Sequence, residues 1–139
     1  MPTPTHAPII TWIPEMSVGV PALDDDHRII VGLINKLADA QDVNDAGMIE
    51  SVLDSLAIYI DEHFQREEEY MESVGFPHLT EHRVIHRDLT KQVEQIRLDF
   101  FLGNRDSIGE YTLAFLKEWL RQHILIEDMQ YNPNRPPSD

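Results

Sequence analysis

Five histidines and one acid, Glu67, occupy positions where a helical protein normally keeps leucine. His63 and Glu67 are four residues apart, and so are His82 and His86 in the stretch GFPHLTEHRVIH. On a helix that spacing puts both members of a pair on one face. His27 begins the series His27, Ile30, Ile34, Leu37, and His123 closes the series Ile108, Thr112, Phe115, Trp119. One core histidine can be satisfied by a carbonyl or a water. Five of them converging with a carboxylate point instead to a metal centre, because a buried carboxylate needs a compensating cation. His123 and Asp128 are five residues apart. Five residues carry a regular helix roughly 140° past one full turn, so Asp128 is expected at a frayed helix end that bends it back toward the core. Seven donors are too many for one ion and suit two first-row metals with bridging carboxylates. Imidazole with carboxylate favours iron, manganese or zinc over calcium and magnesium. Neither the paired Glu-x-x-His of ferritin-like centres nor H-E-x-x-H of zinc proteases is present.

Four helices are needed to carry these positions. The first is expected from LDDDH onward, with Asp24, Asp25 and Asp26 favouring its N-terminus and one of them orienting His27. Asn44 or Asp45 caps the second, from about Ala46 to about Met71. Its stripe is Ile49, Val52, Leu53, Leu56, Ile60, His63, Glu67 and Tyr70, and Gly75-Phe76-Pro77 stops it. The third runs from near His78 to about Leu102 with the stripe His82, His86, Leu89, Val93, Ile96 and Phe100, and Gly103 and Asn104 end it. Ser107 and Glu110 resemble a capping box for the fourth, which ends near Glu127. Residues 1–21 hold five of the nine prolines and read as an extended arm pinned by Trp12 and Ile13. Residues 129–139 read as a loose tail. The fold expected is all-α: an antiparallel up-down-up-down four-helix bundle over residues 22–128, within one domain spanning 1–139.

Composition narrows the partners. The net charge is −14, with 25 acids against 11 Lys and Arg, which excludes nucleic acid and an anionic membrane surface as partners. The absence of cysteine excludes disulfides, thiolate zinc sites, iron–sulfur clusters and c-type haem. The N-terminus has neither a basic n-region nor an apolar h-region, and no apolar run approaches the length of a membrane span, so a cytoplasmic location is expected. Glu68 and Glu69 are expected to be solvated.

The constellation resembles that of the bacterial hemerythrins, single-domain oxygen-binding di-iron proteins. The matching pieces are LDDDH at 23–27, HFQRE at 63–67, GFPHLTEHRVIH at 75–86 and WLRQHILIED at 119–128. The family pattern is a first-helix His, then H-x3-E, H-x3-H and H-x4-D, and all its positions are filled. In the family the H-x3-H pair begins five residues after the proline of the turn, so Pro77 selects His82 and His86. His78 is left in the turn and His6 in the arm, neither a ligand. The resemblance implies two non-haem irons. His82, His86 and His123 hold one, His27 and His63 the other, and Glu67, Asp128 and an oxo or hydroxo group bridge them. It implies a closed six-coordinate iron and an open five-coordinate one for dioxygen, with Phe64, Trp119, Leu120 and Ile124 as the apolar wall of the oxygen pocket. The implied activity is reversible dioxygen binding by a monomer, as carrier, store or supply, and not enzymatic turnover. Alternatives at the same centre are a di-iron oxidase, an enzyme handling peroxide or nitric oxide, and an oxygen or iron sensor. A sensor would need an output domain, for which 139 residues leave no room.

Overall fold

The computed structural model describes residues 8–103 and 110–133. Four helices form the bundle: α1 Pro21–Asp42, α2 Ala46–Ser73, α3 Leu79–Phe101 and α4 Glu110–Gln122. The chain continues from α4 as a π turn, His123–Glu127, and then a 3-10 turn, Asp128–Tyr131. Proline opens α1, where its missing N–H is one the helix would leave unpaired in any case. The helix therefore starts two residues before Leu23. The Asp45 side chain caps α2 by accepting the Met48 N–H at 3.1 Å. Asn44 takes a left-handed φ of 55° in the turn before it. Gly75 and Gly103 follow α2 and α3 with φ of +67° and +96°, the region that favours glycine. His78 is the N-cap of α3 and makes no side-chain capping bond. The capping box expected at Ser107 lies outside the described residues.

The core runs the length of the bundle. Away from the polar positions it is wholly apolar, with Ile34, Leu37, Leu53, Leu56, Val93 and Leu116 buried. On α4 the buried residues are Leu116 and Leu120, while Thr112, Phe115 and Trp119 are only half-buried. The expected α4 stripe therefore lies along the flank of the true core face.

The segment before α1 and the one after the π turn meet beside the start of α1, where the Asn132 side chain donates to the Ser17 carbonyl at 3.4 Å. The arm is not simply extended. It contains a 3-10 turn, Pro14–Met16, and buries Ile10, Met16 and Val18. Asn35 on α1 clamps it, accepting the Ile9 and Ile10 N–H groups at 3.0 and 3.2 Å and donating to the Ile10 carbonyl at 2.8 Å. Trp12 lies under the Arg28 guanidinium, 4.9 Å from ring to carbon, but Ile13 is 41% exposed and pins nothing. At the other end Met129–Tyr131 are ordered into the 3-10 turn and Tyr131 is buried, so the loose tail expected from 129 does not begin there. Gly19 has φ +76° and sits against the Asn132 side chain, so a Cβ there would be strained and would have to displace Asn132. No helix among the described residues is long and apolar enough to cross a membrane.

Candidate metal centre

The bundle brings seven polar side chains from all four helical segments to one buried cluster. His27 comes from the second turn of α1, His63 and Glu67 from late α2, and His82 and His86 from early α3. His123 and Asp128 bracket the π turn. All seven are at most 2% exposed.

The π turn explains how Asp128 reaches the cluster. Its N–H bonds to the His123 carbonyl, five residues back, in place of the i→i−4 bond of a regular helix. The wider turn places the two side chains on one face, with His123 Nε2 2.9 Å from Asp128 Oδ2. Asp128 is thus held by continuous helical structure and not by a frayed end. Sequence spacing alone could not show this, because it was read against a 3.6-residue turn.

Glu67 faces the histidines with separate oxygens, whereas Asp128 Oδ2 faces both His27 and His123. Glu67 Oε1 lies 2.8 Å from His86 Nε2 and 3.2 Å from His123 Nε2. Its Oε2 lies 3.0 Å from His63 Nε2 and 3.5 Å from His27 Nε2. Asp128 Oδ2 lies 3.0 Å from His27 Nε2, and Oδ1 lies 3.7 Å from His82 Nε2. Despite these distances, the Nε2 atoms of all five histidines, Glu67 Oε1 and both Asp128 oxygens make no hydrogen bond. Buried polar atoms without partners are costly and rare. Here they converge, and five of the residues (His27, His63, Glu67, His123 and Asp128) each offer a donor atom within 4.8 Å of the others. Such a set fits a cation bound by nitrogen and oxygen.

The electrostatics point the same way. Burial pushes the Asp128 carboxyl well above the usual range, and the Glu67 charge beside it adds to this. Burial acts on Glu67 too, but the charges of His63 and His123 outweigh it and hold Glu67 well below that range. Two carboxylates this close in a dry core do not both ionise without positive charge between them.

A second layer grips the outer nitrogens. Asp26 accepts from His63 Nδ1 at 3.0 Å, from Arg66 Nε and Nη2 at 2.9 Å each, and from the Tyr59 hydroxyl at 3.2 Å. Burial alone would raise Asp26, but the bonds and charges of His63 and Arg66 hold it at about 2. Its partner is therefore His63 on α2 and not its neighbour His27. The other two acids of the run act elsewhere. Asp24 accepts the Val18 N–H at 2.8 Å and the Ser17 hydroxyl at 2.6 Å, and Asp25 pairs with Arg28. Glu68 is not free in solvent, because His86 Nδ1 lies 2.9 Å from its Oε2 and Arg83 Nε donates to its Oε1 at 3.1 Å. Tyr131 donates its hydroxyl to Glu67 Oε2 at 2.9 Å. Sequence reading missed Asp26 with His63, Glu68 and Tyr131. One signal was available: an arginine lies three residues from each of two histidines, Arg66 from His63 and Arg83 from His86.

Aromatic rings wall the cluster. Phe64 stacks on His86 with centroids 3.9 Å apart and planes 3° from parallel, and Trp119 stacks on His123 at 5.1 Å. Leu120 and Ile124 are fully buried. His78 stands apart, its side chain 61% exposed and 3.7 Å from Glu81. His6 lies outside the described residues.

Residues 18–134 match the family model described as the hemerythrin HHE cation binding domain. The chain is similar to the bacteriohemerythrin of Stenotrophomonas maltophilia (strain R551-3), with 31% identity covering 88% of this chain and 79% of the relative. It is also similar to that of Clostridium acetobutylicum, with 28% identity covering 88% and 98%. Among solved structures, a wild-type hemerythrin superposes with a TM-score of 0.84 at 29% identity, covering 90% of this chain and 96% of that one. A tyrosine-substituted variant of a hemerythrin gives 0.85 at 28%, covering 91% and 97%.

Proposed function

The chain belongs to the hemerythrin family, and from that premise we propose that it binds dioxygen reversibly at a non-haem di-iron centre, as a carrier, store or supply and not as an enzyme. The observation that carries the reading is the set of unpaired Nε2 and carboxylate oxygen atoms turned toward one buried volume. In this reading His82, His86 and His123 hold one iron and His27 and His63 the other. Glu67 and Asp128 would serve both ions, with a solvent-derived oxo or hydroxo group completing the centre. The split of Glu67, Oε1 toward His86 and His123 and Oε2 toward His63 and His27, supports that division.

When bound, two ferrous ions would supply the two electrons that reversible dioxygen binding draws on. The chain's own residues do the rest. The histidines would present Nε2 to the ions. The carboxylates offset the added positive charge in a core that tolerates little net charge. Phe64, Trp119, Leu120 and Ile124 exclude water and offer no carboxyl proton to the bound gas. The proposal extends to a cytoplasmic monomer.

The test is the visible spectrum of the anaerobically reduced, iron-loaded protein before air, after air and after oxygen is withdrawn, together with metal analysis. Two irons per chain and recovery of the reduced spectrum are expected. Peroxide release without recovery would favour an oxidase, and one ion per chain or two zincs would end the di-iron reading.

A further inference from the structure

Two arrangements of the same chemistry stand outside the cluster, built from different elements. In one, the imidazole of His63 meets Asp26 of α1, which is gripped by Arg66 of α2 through two N–H groups. In the other, the imidazole of His86 on α3 meets Glu68 of α2, which is gripped by Arg83 of α3. The outer nitrogens of His27 and His123 make no such bond, as both Nδ1 atoms lack a hydrogen-bond partner among the described residues. The outer bond of His82 goes to the Glu127 backbone. Carboxylate partners are therefore given to two of the five histidines, and these two fall in different halves of the proposed centre.

We propose that Asp26–Arg66 and Glu68–Arg83 are twin positioning pairs, one for each metal ion, that fix the tautomer of His63 and of His86 and set how strongly each imidazole donates. The inference rests on the di-iron reading and adds to it the residues that tune each ion separately. A carboxylate that takes the Nδ1 proton leaves the Nε2 lone pair facing inward and makes the ring a stronger donor. The arginine fixes the carboxylate in place and offsets its charge. The two acts oppose each other electrostatically, so each ion feels a difference between them.

The pairs are unequal. The Asp26 side chain is 6% exposed and that of Glu68 24%. Asp26 also takes the Tyr59 hydroxyl, while Arg83 reaches Glu68 through Nε and lies 3.8 Å from Glu72 with its other end. Solvent screens the second pair more, so the pair beside the two-histidine ion exerts the larger effect.

The test is the midpoint potential of the iron-loaded protein, followed spectroscopically, with its iron retention against a chelator. Asp26→Asn removes a negative charge and leaves Arg66 uncompensated. It should raise the potential and weaken retention of one of the two irons by about 10–100-fold. Arg66→Met leaves Asp26 uncompensated and should lower the potential. Asp26→Glu keeps the carboxylate and should restore the parent value. Glu68→Gln and Arg83→Met should shift it in the same opposite senses by smaller amounts. A merely structural role predicts that Asp26→Asn and Arg66→Met loosen the site alike, so shifts of one sign, or no shift in either, overturn the inference. A parent chain that does not hold two irons overturns the di-iron reading itself. A parent that holds two, with shifts of one sign, overturns only the positioning pairs.

Discussion

Removing one oxygen atom from Tyr131 should show how firmly the end of the chain is tied to the centre. In Tyr131→Phe the ring stays, so no cavity opens and packing against Tyr70, Phe76 and His82 is kept. What is lost is the hydroxyl's bond to Glu67 Oε2, 2.9 Å long, between groups 5% and 0% exposed. Glu67 is held ionised by the charges around it, so the acceptor is charged. A hydrogen bond to a charged group contributes about 1.5–3 kcal/mol, against roughly 0.5–1.5 for a neutral one. The expected loss is therefore about 2 kcal/mol. The clean assay is urea unfolding of the iron-free protein, since a cation at Glu67 would compete for the same lone pairs. The midpoint should fall while the slope stays constant, because the surface exposed on unfolding does not change. Iron-loaded protein should show a smaller loss. An iron-free variant within about 0.5 kcal/mol of the parent would refute the reasoning and reduce the Tyr131 contact to packing.

Four further outcomes can be checked. His78→Ala should leave iron content and spectrum unchanged while His82→Ala loses iron; equal loss at both would place the register a turn away. Ile124→Glu should keep most of its iron but autoxidise faster, and Phe64→Ala should do likewise through water access, with a folding loss of about 3–5 kcal/mol; decay of the oxygenated band no faster than the parent's in either variant would make these residues packing alone. Chelation should lower the melting temperature, because Glu67 and Asp128 then face each other without a cation; an unchanged melting point would contradict the site. The Asp26 carboxyl sits at about 2 against an ordinary 3.8, so its stabilisation is complete above about pH 4 and is lost as pH falls through about 2. The parent should exceed Asp26→Asn by on the order of 1–2 kcal/mol at neutral pH, allowing for solvent around the partly exposed Arg66, and the gap should close between about pH 4 and pH 2. A gap that stays constant over that window would show that Asp26 is not held by charge.

What could be read from the sequence was what depends on regular helical spacing. His63 with Glu67 and His82 with His86 share a face because four residues make about one turn of an α-helix, and the structure keeps α2 and α3 regular through those positions. Asp45 as a cap and Gly75 as a stop are equally local. The misreadings have physical causes. Asp128 was placed at a frayed end because a π turn leaves no mark in composition. The α4 stripe was drawn one residue off its core face, and Leu116 and Leu120 show the true one. Tyr131 was assigned to a loose tail because it lies near the end of the chain, although its hydroxyl bonds Glu67 of α2. Asp26 was given to His27 by adjacency, yet its partner is 37 residues away. Such a pairing is a tertiary fact, fixed only when α1 lies against α2.

The placement of the polar residues divides the bundle into two ends with different sources of stability. His27 lies in the second turn of α1 and His82 and His86 in the first two turns of α3, while His63, Glu67, His123 and Asp128 come late in their helices. In an antiparallel bundle these positions meet at one end. The other end is joined by the short turn after α1 and filled by Leu37, Ile49, Leu53, Val93 and Phe100. It is stabilised mainly by burial of apolar surface, at about 25 cal/mol per Å², with Arg97 of α3 bound to Asp54 of α2 at 2.7 Å on its flank. The polar end gathers further restraints: the Asp24 bonds to Ser17 and Val18, the Tyr131 tie and the two arginine-held carboxylates. The last three each touch a candidate ligand: Tyr131 bonds Glu67, Asp26 bonds His63 and Glu68 bonds His86. An apolar end of this kind can hold the helices in register whatever occupies the polar cluster. That separation lets one small domain keep unpaired donors in its core without unfolding around them.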